Sequence, residues 1–232
     1  MIAVTFALPA ESSEFLKRLH NKSQSDRRDI SIIRGDIGGR EIEVLHTGVG
    51  AKACRERLRR FLDDQQFELL ISSGFAGALN DELQVGELLL AKNFSTIELG
   101  RTSLSSSLPV HTADLFTVPA LIDSSEERVT MARRTGAAAV DMETEFIAEA
   151  CATQGVLLLS LRIITDTPRQ LFPAPPHILF DIDRQRTRIA KLAKFFLVHP
   201  NRIPRLIQFA RRIAHAKKTL ADALVDIVKA LR

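Results

Sequence analysis

The segment LRIITDTPR, residues 161–169, places an aspartate at the end of an apolar run that is typical of a buried strand. Arg162 lies four residues before Asp166, and Thr165 adjoins it. In an open α/β sheet, ligands bind in the crevice at the carboxyl ends of the strands, so a polar cluster there favours a functional role. We therefore predict that these three side chains line a ligand site, although each taken alone has a structural explanation.

Two further carboxylates follow predicted strands. Glu143, in AAAVDMETEFIAEA, lies in the first turn of a predicted helix, and Glu11 lies similarly after the first strand. The positive end of the helix dipole stabilises a negative charge at both positions. Each residue could therefore be a helix-capping residue or a member of the site.

Two glycine-bearing turns also come directly after strands. GVGAKA, residues 48–53, matches the G-x-G-x-x-A form of a dinucleotide fingerprint. The next strand, however, ends in ISSGFAG without the acid that would hold a ribose, which argues against a dinucleotide. The GVGAKA turn and the second turn, SGFAGAL at residues 73–79, together predict a crevice that is lined by backbone groups and holds a small ligand. The alternative is that both are ordinary tight turns without a ligand.

Apolar runs alternate with helical periodicity along the chain. The runs are mostly too continuous for strands with one exposed face, so the sheet should be covered by helices on both sides. Helices are predicted at residues 11–20, 50–62 and 141–151. A serine-rich loop is predicted at 95–109 and a proline-rich connection after Asp166. The predicted core strands are IAVTFAL, EIEVLHT, ELLISS, ELLLA, LFTVPALI and VLLLSLRII.

Charge is distributed unevenly along the 232 residues, whose formal net charge is +4. Residues 184–232 carry 13 Lys or Arg and two acids, which makes the remainder mildly acidic. The basic, amphipathic tail indicates contact with an anionic membrane surface, a nucleic acid or another partner, whereas the alternative is an exposed helix face. The absence of Trp and Tyr, and of any known motif, argues against nucleic acid.

The cysteines and histidines indicate neither a disulfide framework nor a metal site. Cys54 and Cys151 fall in predicted helices, as expected for reduced, buried thiols. His46, His111 and His177 are scattered, without ligand spacing. No basic leader precedes the first strand, and no run approaches the ~20 apolar residues of a membrane span. We therefore expect a soluble, cytoplasmic protein that uses neither a metal nor another cofactor.

Five motifs together resemble one known family. ALPAESSEF, TGVGA, SGFAGALNDELQVGEL, VDMETE and LRIITDTPR occur in the order and approximate spacing of the purine nucleoside phosphorylase and methylthioadenosine/S-adenosylhomocysteine nucleosidase superfamily. The resemblance covers roughly residues 1–170. It implies a three-layer α/β/α domain, phosphorylase/hydrolase-like, with a central mixed sheet. We assign this domain to residues 1–177, and a basic helical C-terminal extension to residues 178–232.

The resemblance also implies roles for individual residues in cleaving the N-glycosidic bond of a purine nucleoside. Asp166 matches the acid that protonates or hydrogen-bonds the purine at N7, and Glu143 matches the residue that binds the ribose hydroxyls. Met142 is expected to pack against the sugar. The other expected substrate-binding residues are Gly48, Gly50, Phe75, Ala76, Gly77, Leu121 and Thr165.

The acceptor in the reaction is either water or phosphate. Glu11, Glu143 and Arg162 match the set with which the family's nucleosidases hold an attacking water. A carboxylate at Glu11 would repel a phosphate dianion, so the resemblance favours hydrolysis, with phosphate as the alternative co-substrate.

Two departures from the small nucleosidases bear on the substrate. The segment after the VGEL strand is short, which should open the 5′ side of the ribose site and makes the usual homo-oligomer doubtful. The tail HPNRIPRLIQFARRI is similar to that of the hopanoid-associated phosphorylase branch, whose proposed substrate is adenosylhopane. Such a tail suits a helix lying on the inner face of an anionic membrane, and packing on the core or on another subunit is the alternative.

A catalytically inert nucleoside-binding or membrane-associated scaffold is the alternative to an enzyme. Such a scaffold would not need the three carboxylates of Glu11, Glu143 and Asp166.

Overall fold

The computed structural model describes residues 1–97, 110–181 and 185–231, so the predicted serine-rich loop falls mostly outside the described residues. The strands are β1 (Ile2–Phe6), β2 (His20–Arg27), β3 (Ile30–Ile37), β4 (Arg40–His46), β5 (Leu69–Ala78), β6 (Leu88–Ala91), β7 (Val110–Ala113), β8 (Leu115–Thr117), β9 (Ala139–Asp141), β10 (Leu158–Asp166), β11 (Phe180–Asp181) and β12 (Arg186–Thr187). The helices are α1 (Pro9–Leu16), α2 (Ala51–Leu62), α3 (Ser125–Thr135), α4 (Thr144–Gln154), α5 (Pro176–Leu179), α6 (Ile189–Val198) and α7 (Ile203–Ala230), with a 3₁₀ turn at Pro200–Arg202.

A mixed sheet runs through the middle of the molecule in the order β2-β3-β4-β1-β5-β10-β6-β7. Strands β4, β1, β5 and β10 are mutually parallel, whereas β6 runs antiparallel to β10. A second arm pairs β9 with β5 and β8 with β9. The predicted α/β fold with a mixed central sheet is therefore confirmed. All the residues of β1 and β10 are buried, as expected for strands covered on both faces.

Helices cover the two faces of the sheet. On one face, α1 and the C-terminal half of α7 pack against β1, β5 and β10, whereas α2 and α4 pack against each other and the sheet on the opposite face. Both clusters are dominated by Leu, Ile, Val and Phe side chains that are almost completely removed from water. Burial of this apolar surface, at about 25 cal/mol per Å², is the main stabilising contribution.

Two elements, β2 and α3, lack the apolar patterns from which strands and helices are predicted. β2 has the sequence HNKSQSDR and is exposed along nearly its whole length, because it is the edge strand of the sheet and buries no apolar face. It is joined to β3 by a tight turn in which Arg28 and Asp29 both have positive φ angles. Helix α3 is capped by Ser124 and buries only Arg128 among its residues, so it carries no apolar stripe.

The two halves of the C-terminal region differ in environment. The buried residues of α7, from Ala216 to Val228, belong to the same core cluster as β1 and β10. In contrast, α6 and the first turns of α7 are largely exposed. The division of the chain at residue 177 stays a prediction. None of the helices in the described part of the chain is both long and apolar enough to cross a membrane.

Candidate active site

The side chains of Glu11, Glu143 and Arg162 meet around one small cavity. The cavity has a volume of about 10 Å³ and lies where the chain leaves the carboxyl end of β1, beside the middle of β5 and β10. Its lining consists of Phe6, Ala7, Glu11, Thr47, Ser73, Gly74, Phe75, Glu143, Ile147 and Arg162. Among the described residues, the Ser73 Oγ is buried without a hydrogen-bond partner. Three residues that are far apart in the sequence thus form one polar cluster.

Glu11 both caps its own helix and lines the cavity. Its Oε2 accepts hydrogen bonds from the backbone N–H of Ala7, at 3.0 Å, and of Leu8, at 3.3 Å. Burial raises the pKa of Glu11 from 4.5 to about 7, although these hydrogen bonds and the charge of Arg162 act in the opposite direction. A Cβ at Gly74 would lie 3.2 Å from the same carboxylate oxygen, so a glycine gives this carboxylate its room.

Glu143 lies immediately before α4, at the N-cap position, rather than in the first turn. Its Oε1 accepts a hydrogen bond of 2.8 Å from the backbone N–H of Gly50, in the first glycine turn. Burial, together with the nearby negative charges of Asp141 and Glu11, raises the pKa of Glu143 to about 8. Glu143 therefore joins the glycine turn after β4 to the cavity.

Arg162 is 2% exposed and is held by partners other than the two glutamates. Its Nε and Nη2 donate to the Oδ2 of Asp141 at 3.1 and 3.0 Å. Further donation to the carbonyl and hydroxyl of Ser72, both at 2.8 Å, and to the Thr144 Oγ1, at 2.6 Å, satisfies the rest of the guanidinium. Asp141 also accepts a hydrogen bond from the Thr117 Oγ1 at 2.9 Å. This network fixes the orientation of Arg162.

Asp166 lies outside the lining of this cavity, in a second buried cluster. Its Oδ2 is 2.5 Å from Nη2 of Arg128, and its Oδ1 accepts a 2.8 Å hydrogen bond from the Thr165 Oγ1. Arg128 is 1% exposed and also donates to the carbonyls of Ile122 and Ala78. Burial raises the pKa of Asp166, whereas the charge and hydrogen bond of Arg128 oppose that rise.

Strand β5 connects the two clusters. Gly74 pairs with Arg162 and Gly77 pairs with Asp166 in the parallel β5–β10 ladder, with Phe75 and Ala76 between the two glycines. A Cβ at Gly77 would lie 2.7 Å from the Asp166 Oδ2, so glycine is required there for the ion pair to form. Three residues of strand span roughly 10 Å, which is comparable to the length of a nucleoside. The strand thus separates Asp166 from the cavity of Glu11 and Glu143 by about the length of a nucleoside.

The remaining predicted residues lie around these clusters. Met142 is buried among the side chains of another apolar cluster and does not line the cavity, and Leu121 is 39% exposed. Gly48 adopts a positive φ of 78° in the first glycine turn. There the backbone of Val49 exchanges two hydrogen bonds with the side chain of Gln185. The substrate-binding roles of these residues stay predictions.

Several site residues were not identified from the sequence. Asp141 belongs to the VDMETE motif, but the resemblance implies roles only for its neighbours Met142 and Glu143, and Arg128 has no sequence signal because it lies in a polar helix. His46, one of the scattered histidines, is half-buried. Its Nε2 lies 2.7 Å from the Ser12 Oγ, and burial lowers its pKa to about 4. Within the described ranges, no three metal-binding side chains are close enough to hold an ion.

A mixed sheet between helices, with buried carboxylates at the carboxyl ends of its parallel strands, defines a nucleoside-phosphorylase-like α/β protein. The sequence profile of the Phosphorylase superfamily matches residues 1–198, and the chain belongs to that superfamily. The chain is 21% identical over 196 residues to the 5′-methylthioadenosine/S-adenosylhomocysteine nucleosidase of Staphylococcus haemolyticus, an alignment that covers 72% of this chain and 86% of the relative. A Shewanella oneidensis protein of the same name is 23% identical over 90 residues, 39% of this chain and only 38% of that relative.

Solved structures show the same fold. The S. pneumoniae 5′-methylthioadenosine/S-adenosylhomocysteine nucleosidase, solved with a transition-state inhibitor, superposes with a TM-score of 0.71 at 19% identity and covers 100% of this chain and 99% of its own. A futalosine hydrolase mutant of Helicobacter pylori gives a TM-score of 0.61 at 17% identity, over 71% of this chain and 87% of its own. The first of these alignments includes α7, so the C-terminal helix lies within the shared fold.

Proposed function

We propose that this protein hydrolyses the N-glycosidic bond of an adenine nucleoside and releases the base. The observation that carries the proposal is the placement of Glu11, Glu143 and Arg162 around one cavity at one end of the SGFAG strand, with Asp166 at the other. The relatives named 5′-methylthioadenosine/S-adenosylhomocysteine nucleosidase support an adenine nucleoside as the substrate.

The first cluster would bind and activate water. The water oxygen forms a bond to C1′ of the ribose while the C1′–N9 bond breaks, and its electron pair stays with the base. Glu11 accepts the proton of the water, and its pKa of about 7 suits a general base at neutral pH. Glu143 binds the ribose hydroxyls, and the carboxylates stabilise the positive charge that develops on the sugar.

The charge of the cavity favours water over phosphate as the acceptor. Both Glu11 and Glu143 line it. A phosphate dianion would approach these two carboxylates directly, and they would repel it once ionised. Phosphorolysis is therefore the less favoured reaction.

The second cluster would serve the leaving group. Negative charge gathers on the departing purine, and a proton or hydrogen bond at N7 relieves it. Asp166 is the residue proposed for this role, with the base lying along Phe75 and Ala76. Because burial raises the pKa of Asp166, its protonated form is more accessible than that of an exposed aspartate. Arg128 holds the carboxyl group in place, and its positive charge opposes the rise in the pKa of Asp166.

We propose further that the 5′ substituent is large and apolar, as in adenosylhopane of hopanoid biosynthesis, and that the protein contacts the inner face of the membrane. The support is an exposed surface on α6 and α7 that combines apolar and basic side chains, the combination that suits an anionic lipid surface. Its large exposed apolar residues are Ile189, Leu197, Val198, Ile203 and Ile207. A second subunit is the alternative occupant, and sedimentation of the full chain with and without anionic vesicles separates the two.

The reaction is tested by incubating the protein with adenosine, methylthioadenosine and a series of 5′-alkylated adenosines, with and without phosphate, and measuring free adenine. We expect adenine release without phosphate, and a kcat/KM that rises with the length of the alkyl group. Glu11→Gln should abolish release, whereas Glu14→Gln, at a partly exposed position on the same helix, should not. A requirement for phosphate would refute hydrolysis, and the absence of adenine from every substrate would refute the enzymatic proposal.

A further inference from the structure

A second and larger cavity lies between the segment that follows β10 and the first half of α7. Its volume is about 710 Å³, and we call it the arginine pocket. It shares no lining residue with the cavity around Glu11 and Glu143. It is lined by Pro168, Arg169, Gln170, Leu171, Phe172, Arg205, Gln208, Arg211 and Arg212.

The positive charge of the arginine pocket is largely uncompensated. Arg169 pairs with Asp81 at 2.9 Å, but among the described residues no carboxylate forms an ion pair with Arg205, Arg211 or Arg212. Helix α7 contains no acidic residue before Asp222. Like charges that share one cavity repel each other, so a bound anion would lower the energy of this arrangement.

Arg212 also has an unused hydrogen-bond donor inside the protein. Its Nη1 donates to the Gln170 side chain, but its Nε is buried and has no partner in the described part of the structure. A buried donor left unpaired costs about 1–3 kcal/mol. An oxyanion on this side of the guanidinium would accept that hydrogen bond, because the planar fork of arginine matches the geometry of phosphate and carboxylate oxygens.

Beside the arginines and two glutamines, the arginine pocket has an apolar and aromatic wall. Phe172 packs edge-on against Phe209 with ring centroids 6.0 Å apart, and the guanidinium of Arg212 lies 5.9 Å from the Phe209 ring centre. Leu171 continues this wall. A neighbouring cavity of about 370 Å³ shares Arg212 and two other lining residues with the arginine pocket. The combined space accommodates more than an isolated inorganic ion.

We propose that the arginine pocket binds a phosphate-type oxyanion, either free or as the charged group of a larger molecule whose apolar part lies against Leu171 and Phe172. The inference does not depend on the proposed glycosidic cleavage. Free phosphate compounds and anionic lipid headgroups carry the same recognised chemistry, so binding must be measured separately for both.

The experiment measures binding of inorganic pyrophosphate by calorimetry, and binding to phosphatidylcholine vesicles with and without phosphatidic acid by co-sedimentation. The test protein is the full chain with Arg205→Gln and Arg211→Gln, both exposed positions on α7. The matched control carries Arg55→Gln and Arg59→Gln, which remove the same charge from exposed positions on α2.

We expect the wild-type protein to bind at least one of the two probes, and the test variant to bind it about tenfold more weakly, equivalent to about 1.4 kcal/mol. The control should bind within about twofold of the wild type. Pyrophosphate binding would identify a free phosphate compound, and binding only to vesicles that contain phosphatidic acid would identify the headgroup. Equal weakening in both variants, or no binding to either probe at millimolar concentration, would overturn the proposal.

Discussion

Glu11 is predicted to lower the stability of the folded protein at neutral and alkaline pH, and Glu11→Gln should remove this effect. The glutamine retains an oxygen that can accept the hydrogen bonds from the backbone N–H of Ala7 and Leu8. It loses only the ionisation that burial disfavours. The substitution should therefore stabilise the protein while it removes the proposed catalytic base.

The magnitude follows from the raised pKa of Glu11. In the unfolded chain this carboxyl group ionises near its ordinary value of 4.5, whereas in the folded protein its pKa is about 7. Between these values the folded state binds more protons than the unfolded state, so wild-type stability falls as pH rises. The difference of about 2.5 pKa units corresponds to about 3 kcal/mol, fully developed above about pH 8 and absent below about pH 4.

The assay is urea unfolding of the wild type and of Glu11→Gln across this pH range. We expect the stability difference to grow from near zero at acid pH to about 3 kcal/mol in favour of the variant at alkaline pH. Glu14→Gln is the control: the Lys17 hydrogen bond lowers the pKa of Glu14, so this variant should show no such rise. A difference that does not change with pH, or a variant less stable than the wild type above about pH 8, would refute the reasoning.

Substitutions at three further positions test the buried ion pairs. Arg128→Met leaves Asp166 buried without its counter-charge and should lower the free energy of unfolding by about 3–5 kcal/mol, measured in urea at neutral pH. Arg128→Lys should restore part of the loss, and equal stability of all three proteins would contradict the assignment. Gly77→Ala places a Cβ 2.7 Å from the Asp166 Oδ2 and should reduce adenine release. Gly136→Ala is the control: it also changes the backbone preference, but its Cβ would meet no atom within 4 Å, so it should reduce release less. Asp141→Asn weakens the support of Arg162 and should lower kcat with little change in KM; an unchanged kcat would show that this support is dispensable.

The sequence was informative wherever a local pattern carries the information. The core strands β1, β4, β5, β6 and β10 were predicted from continuous apolar runs, because a strand buried on both faces must be apolar along its length. Helices α1, α2 and α4 followed from their apolar periodicity. The exposed edge strand β2 and the polar helix α3 could not be predicted in this way, because their residues bury almost no apolar surface.

The buried charges also divide into those that a local sequence pattern predicts and those that only the folded structure shows. Asp166 and Arg162 were identified because an acid and a base interrupt an otherwise apolar strand, which is a local anomaly. Their partners, Arg128 and Asp141, lie 38 and 21 residues away along the chain. An arginine in a polar helix looks exposed, and only the folded structure shows that Arg128 is buried and paired with Asp166.

By itself, the sequence determined the α/β architecture, the superfamily resemblance and the positions of the carboxylates at strand ends, because these depend on periodicity and on short motifs. Only the tertiary structure decided that Glu11 and Glu143 share a cavity with Arg162 while Asp166 pairs with Arg128 instead. It also decided that the second half of α7 belongs to the core, whereas α6 is exposed. These outcomes depend on contacts between residues that are distant in the chain, and the free energy of burying a charge is set by the partners that the fold brings to it.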